Sequence, residues 1–463
     1  MQLSTTEIAS ILDSRWEGTP RLASGYSIDS RSVQPGDLFF AIQGPRNDGH
    51  GFIGQAFGSG AIAAIVRGSY HPADAPSWQP FLISVPDTTL ALQTLAHAVR
   101  RKWPGRLIGI TGSAGKTTVK EMTAALLERR FRVLKSSGNL NNHYGVPLTL
   151  LRLEPSDDAA VVEMAMSGPG EIARLASWAE PGIGVVTNVS AAHLAFFDSV
   201  DSIARAKREL IESLPPTGIA VLNQDDERVR GFAAGFRGRV VTFGFTEGAD
   251  YRALGVRAAS RNGTEGSEFE LRGGTYSGSF FVPLPGRHNA ENALAAIAAA
   301  SLFDLRLEDV REGLAHFRAP GQRTEIIRLP GGVVLINDVY NSNPRAMERM
   351  LETLACWPHA KRRIVIAGEM LELGPSAPDW HRRVGRECAQ AGIDWLLAVQ
   401  GDARFFLEGA EEAGLPGDKC SFFATAEEAG RFCLGIVEPG DVILVKGSRG
   451  VHLERATEIL RIA

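Results

Sequence analysis

The sequence predicts a three-unit α/β protein: a small N-terminal α/β unit, a central parallel-sheet unit built on a phosphate loop, and a C-terminal Rossmann-like unit. Three observations predict it. At roughly 150 residues per domain, 463 residues make about three domains. Short apolar strands alternate with helical segments, and this alternation restarts near residue 319. One Gly-rich loop stands between an apolar strand and an amphipathic helix. Hydrophobic residues at 44% and charged residues at 22% place the chain among globular proteins and against disorder. A net charge of -4 argues against a nucleic-acid footprint. No apolar run reaches the ~20 residues of a membrane helix, and the start of the chain lacks a signal peptide's basic and apolar regions. Cys356, Cys388, Cys420 and Cys433 show no Cys-x-x-Cys spacing, so a zinc ribbon or secreted disulfide framework is not expected. The class is a soluble protein of a reducing compartment.

Residues 1–103 read as the first unit, with strands at 37–42 and 61–66, a Pro-rich loop over 71–80 and a helix over 90–102. Trp103-Pro104-Gly105 punctuates the chain. Residues 104–318 form the second unit. Its strands fall at 107–110, 160–164, 183–187, 219–223 and 240–244, and near-continuous apolar strands imply a sheet covered on both faces. Residues 251–283 alternate at period two and read as a small antiparallel addition, followed by an Ala-rich helix over 289–302. Residues 319–463 form the third unit. Strands are expected at 333–336, 363–367, 396–399, 421–424 and 442–445, with helices at 344–354, 381–391, 403–413 and 426–434, the last N-capped by Thr425.

The strongest motif is Gly109-Ile-Thr-Gly112-Ser-Ala-Gly115-Lys-Thr-Thr118. Backbone N–H groups of Gly112, Ser113, Ala114, Gly115, Lys116, Thr117 and Thr118 suit phosphate oxygens at a helix N-terminus. Lys116 supplies a point charge and the Thr117 hydroxyl a Mg²⁺ ligand. Five residues before Gly115 stands Ile110 rather than Gly, so this is a variant phosphate loop. Asn223-Gln-Asp-Asp226 superficially resembles a guanine-reading loop, and a nucleotide-switch module is the competing class. Gln224 in place of Lys speaks against it.

Further motifs follow in fixed order: Gly138-Asn-Leu-Asn-Asn142, Val162-Glu163-Met164, Ala192-His193-Leu194, Ala206-Lys207-Arg-Glu209 and His288-Asn289 with Asn292. Then come Gly321-Gln-Arg323, Asp338-Val-Tyr-Asn-Ser-Asn-Pro344, Gly368-Glu-Met-Leu-Glu-Leu-Gly374 and Lys446-Gly-Ser-Arg449. This series resembles the Mur ligase family, the ATP-dependent amide ligases of peptidoglycan precursor synthesis. The resemblance covers nearly the whole chain and extends to Asp29-Ser30-Arg31 and the Pro35-to-His50 segment, which resemble a uridine-nucleotide unit. Two departures stand out: Ala165, where the family usually has Gly, and an inserted-looking Gln322.

The resemblance implies a cytoplasmic, monomeric enzyme with ATP and two Mg²⁺ ions, joining UDP-N-acetylmuramoyl-tripeptide to D-alanyl-D-alanine through an acyl phosphate. A relative adding a single third amino acid remains the alternative within the family. The resemblance implies Lys116, Glu163, His193 and Lys207 as catalytic, with Thr117, Glu163, His193 and a carbamylated Lys207 around the metal. Without it, Lys207 reads as part of a solvated basic helix face. Asn292, Arg323 and Asp338 are expected at the nucleotide, the last two once the third unit closes. Ser30, Arg31, Asn139, Asn142, Lys446 and Arg449 are expected at the other substrates.

Overall fold

The computed structural model describes residues 1–45, 47–68, 70, 76–191 and 194–462. Its larger sheets are three, of four, nine and six strands, with a two-stranded ribbon at the N-terminus. The architecture is α/β, as the alternation predicts.

The N-terminal sheet orders Gly25–Ser27, Asp37–Phe40, Ala63–Arg67 and Leu82–Val85, all parallel. The expected Pro-rich loop lies partly outside the described residues. Helix Thr88–Lys102 begins two residues before its expected start, because the Asp87 carboxylate accepts from the N–H groups of Thr89 and Leu90. Its buried face carries Leu92, Leu95, Ala96 and Val99 into a core that continues through Leu107, Leu150, Ile172 and Leu210. Chain segments on both sides of Trp103 therefore share one apolar core.

The central sheet runs Gly278–Val282, Thr264–Arg272, Tyr251–Arg261, Arg239–Gly244, Ile219–Asn223, Ile183–Val186, Arg106–Thr111, Ala159–Glu163 and Val133–Lys135. Thr264–Arg272 is antiparallel to both strands beside it, and Tyr251–Arg261 pairs parallel with Arg239–Gly244, so these three strands extend the parallel sheet rather than standing apart. Val133–Lys135 was not expected; three residues are too few to show a period. Helices Lys116–Leu127 and Arg287–Ala300 cover one face through Val119, Met122, Leu126, Leu294 and Ile297. Helices Glu171–Ala179 and Val200–Glu212 cover the other. The Ala-rich helix begins at Arg287, after Gly286, and passes into a 3₁₀ turn at Ser301–Phe303.

The C-terminal sheet orders Glu325–Arg328, Val334–Asp338, Val442–Lys446, Arg363–Gly368, Trp395–Val399 and Cys420–Phe423. Glu325–Arg328 is an antiparallel edge strand and helix Glu454–Ile462 follows the last strand; the sequence reading missed both. Thr425 caps its helix as expected, in a capping box with Glu428. The connection between the two larger sheets holds Gln322 and Thr324 at φ 66° and 50°. Neither is Gly, and a β-branched residue there is strained.

Candidate active site

Strand Arg106–Thr111 delivers the chain into the phosphate loop at the C-terminal edge of the parallel strands, where α/β ligand sites form. Gly115, at φ 82°, is the N-cap of helix Lys116–Leu127. A Cβ there would stand 2.4 Å from the Asn292 Oδ1, and one on Gly112 would stand 1.9 Å from the Thr187 Oγ1. The loop is fixed from behind. The Ala114 N–H donates to the Asn188 Oδ1 at 3.0 Å, and the Ala114 carbonyl accepts from the Thr187 hydroxyl at 2.6 Å. Lys116 curls back to donate to the Gly112 carbonyl at 2.9 Å.

Thr117 and Glu163 meet as the motifs require: the Thr117 hydroxyl donates to one Glu163 carboxylate oxygen at 2.8 Å. The other oxygen accepts from the Asn141 side-chain amide, also at 2.8 Å. Glu163 is buried, and its N–H donates to the Ser136 hydroxyl. Asn141 is thus the member of the Asn-rich loop that reaches the site. Its neighbours Asn139 and Asn142, expected at the other substrates, do not join this contact. Asn142 instead accepts from the N–H groups of Tyr144 and Gly145, starting the next helix, and Asn139 is exposed. The Ala165 N–H holds the Asn141 carbonyl at 2.9 Å, which pins the loop.

A cavity of about 230 Å³ gathers Ser113 to Thr118, Asn141, Glu163, Asn289 and Asn292 from the central unit with Arg323, Asp338, Tyr340 and Lys446 from the C-terminal one. A larger cavity, about 820 Å³, lies around Arg100, Pro181 and Thr217 at the far end of the central strands. It holds none of the phosphate-loop residues, so the smaller cleft is the candidate. Asn292 donates to the Asn289 Oδ1. Lys446 does not face outward toward a substrate; its ammonium donates to Asp338 at 2.6 Å and to the Asn341 carbonyl at 2.9 Å. Arg323 and Arg449 both lie over the Tyr340 ring, at 3.8 and 5.2 Å from its centroid. Tyr340 stands in the Asp338-to-Pro344 motif, but no role of its own was legible there.

Burial lowers the Lys116 pKa, opposed by Glu163 and reinforced by Arg323. Lys207 is 2% exposed, so the solvated-face reading fails. Its pKa lies well below the ordinary range, through burial first and the Lys116 charge second. Among the described residues no carboxylate pairs with it. His193 lies outside the described residues. Ser30 and Arg31 stay in the N-terminal unit, away from the cleft. The Ser30 hydroxyl donates to Gln55, and the exposed Arg31 pairs with Asp29 at 2.6 Å.

Hard oxygen donors at Thr117 and Glu163 beside a phosphate cradle fit Mg²⁺. No cluster of three or more His, Cys, Asp or Glu able to hold a metal occurs among the described residues.

The chain matches the Mur ligase family, catalytic domain, over residues 23–100, the Mur ligase middle domain over 110–300, and the Mur ligase, glutamate ligase domain over 322–449. It is 36% identical to the UDP-N-acetylmuramoyl-tripeptide--D-alanyl-D-alanine ligase of Escherichia coli (strain K12), covering 100% of this chain and 99% of that one. The ligase of the same name from Synechocystis is 37% identical, covering 98% and 96%. A crystal structure of MurF from Acinetobacter baumannii superposes with a TM-score of 0.89 at 30% identity, covering 100% and 99%. That of MurF ligase from Thermotoga maritima in complex with ADP superposes with 0.82 at 27%, covering 95% and 97%.

Proposed function

The chain belongs to the Mur ligase family, and from that premise we propose that it is an ATP-dependent amide ligase joining D-alanyl-D-alanine to UDP-N-acetylmuramoyl-tripeptide, giving the pentapeptide. The single observation that carries the reading is the cleft that unites the phosphate loop with Arg323, Asp338 and Lys446. The family match and relatives of that name over the full length support the choice of substrates.

A carboxylate repels an attacking amine, so it is first activated. One oxygen of the tripeptide carboxylate attacks the γ-phosphorus of ATP and ADP leaves, giving an acyl phosphate. The dipeptide amine then attacks the acyl carbon, loses a proton, and phosphate departs. The Ser113 and Ala114 N–H groups, expected at phosphate, are instead bonded to Asn188, so Lys116 and the N–H groups at the start of helix Lys116–Leu127 hold the phosphates in line and stabilise the charge that spreads over them. Thr117 and Glu163 would hold Mg²⁺, which would supply positive charge against that of the phosphates. Asn289 and Asn292 line the nucleotide side, and Asp338, braced by Lys446, faces ribose hydroxyls. Arg323 adds a planar fork for phosphate. Arg449 presents a guanidinium to the dipeptide carboxylate. The N-terminal unit, residues 1–103, holds the uridine end through the Ser30–Arg31 loop. Residues 104–318 carry ATP, and residues 319–463 the dipeptide.

Lys207 carries the remaining part of the reading. A buried amine kept neutral can add CO₂, releasing a proton and becoming a carbamate. The product is an anion facing the Lys116 charge, and it would serve as a further metal ligand.

Phosphate release tests the proposal. Purified protein with ATP, Mg²⁺ and UDP-tripeptide should release phosphate on adding D-alanyl-D-alanine and not on adding single amino acids. Release with a diaminoacid and UDP-dipeptide instead would move the chain to the tripeptide-forming branch.

A further inference from the structure

Among the described residues two ion pairs join the C-terminal unit to the central one. One of them is buried. Arg349, on helix Pro344–Ala355, pairs with Glu291, on helix Arg287–Ala300, at 2.6 Å, with side-chain exposures of 14% and 8%. The other pair, Arg328–Glu265, has 57% of its arginine exposed. Surface pairs of that kind contribute little, whereas separating a desolvated pair leaves a buried charge alone.

Glu291 is also held in place from behind. Its second oxygen accepts from the Asn223 side-chain amide at 3.1 Å. The same amide donates to the Thr187 carbonyl at 2.7 Å, and Thr187 is the residue whose hydroxyl anchors the phosphate loop at Ala114. Arg349 lines the cleft beside Asn289. The anchor for Arg349 is thus built on the strand ends that shape the nucleotide loop.

We infer that Arg349 is a positioning residue: by pairing with Glu291 it sets the docked placement of the C-terminal unit, and so brings Arg323, Asp338 and Arg449 to the phosphate loop. This rests on the ligase reading for its kinetic consequence, but docking itself can be followed without any turnover.

The test uses the full chain as wild type, Arg349→Met, Glu291→Gln and the double variant. Two quantities are read: the KM for D-alanyl-D-alanine, and the rate of tryptic cleavage at the 318–323 connection with a non-hydrolysable ATP analogue and Mg²⁺ present. Each single variant should raise that KM and speed cleavage by about tenfold, and the double variant should be less impaired than the product of the two by a similar factor. Thermal melting of each variant separates local from global loosening. Unchanged KM and cleavage in variants whose melting temperature has merely fallen would assign the pair a structural role only and overturn the inference. Losses that multiply independently would overturn it as well. Should Arg349→Met fail to fold, Glu291→Gln and the double variant decide the matter, the latter leaving no buried charge orphaned. A wild type that ignores D-alanyl-D-alanine would sink the ligase reading, while the cleavage comparison would still judge the latch.

Discussion

Two titratable side chains beside the cleft, Lys207 and His288, are held toward their neutral forms by burial. For Lys207 this has a catalytic consequence if the carbamate forms. Lys207→Ala should lower turnover about a hundredfold or more, as loss of a group stabilising developing charge does. Millimolar acetate or formate should restore part of it. A fully active Lys207→Ala enzyme would exclude the carbamate. For His288 the consequence is stability. Burial first, then the charge of Arg349, depress its pKa from 6.5 to about 3. Between those values the unfolded chain binds a proton that the folded chain refuses. Stability is therefore complete above pH 6.5 and falls as pH drops toward 3. His288 lines the cleft and is only partly buried, so solvent screening reduces the effect to about 1–2 kcal/mol. In urea titrations at pH 7 and 4.5, His288→Gln should lose less stability than wild type; equal losses would place the acid sensitivity elsewhere.

Among the elements, the phosphate loop tolerates least. Gly115→Ala would meet Asn292 at 2.4 Å in a left-handed backbone, so either the loop or the Ala-rich helix must shift. The expected result is a folded protein with ATP affinity weakened at least tenfold, since misplaced phosphate contacts act on binding and chemistry alike. Unchanged affinity by calorimetry would show that the loop rearranges freely. How far such elements were legible depended on where their determinants sit. The phosphate loop and its helix were readable because Gly spacing and an apolar face lie within a dozen or so residues. Glu163 was readable from its place at a strand end. The contact of Asn141 with Glu163 was not, because a distant N–H from Ala165 fixes that part of the loop. Burial of Lys207 was hidden for a like reason. Arg205 and Arg208 flank it in sequence, but helix Val200–Glu212 turns Ala206, Lys207 and Leu210 inward together. Strand Glu325–Arg328 escaped because its pattern is that of a half-covered edge, with no residue fully buried.

In the whole molecule, the first and second units share a core while the second and third share a seam. We therefore expect relative motion to belong to the third unit, about the connection carrying the left-handed Gln322 and Thr324. Lys116 stands near two other cations, since the Arg323 charge helps lower its pKa and its own charge helps lower that of Lys207, and a bound polyphosphate would relieve that repulsion. Small-angle scattering should thus give a smaller radius of gyration with a non-hydrolysable ATP analogue, Mg²⁺ and UDP-tripeptide than without them. An equal radius at confirmed saturation would mean that docking is independent of ligands. The strand order of the C-terminal sheet has a consequence of another kind, in the making of the protein. Val442–Lys446 inserts between Val334–Asp338 and Arg363–Gly368 although it comes after both and after two further strands. On the ribosome, the two halves of this sheet wait as separate pieces with open edges until that strand emerges. The same strand carries Lys446 to Asp338, so the last wall of the nucleotide cleft is finished by the segment that closes the sheet, and a nascent chain gains a complete cleft only when its fold is sealed.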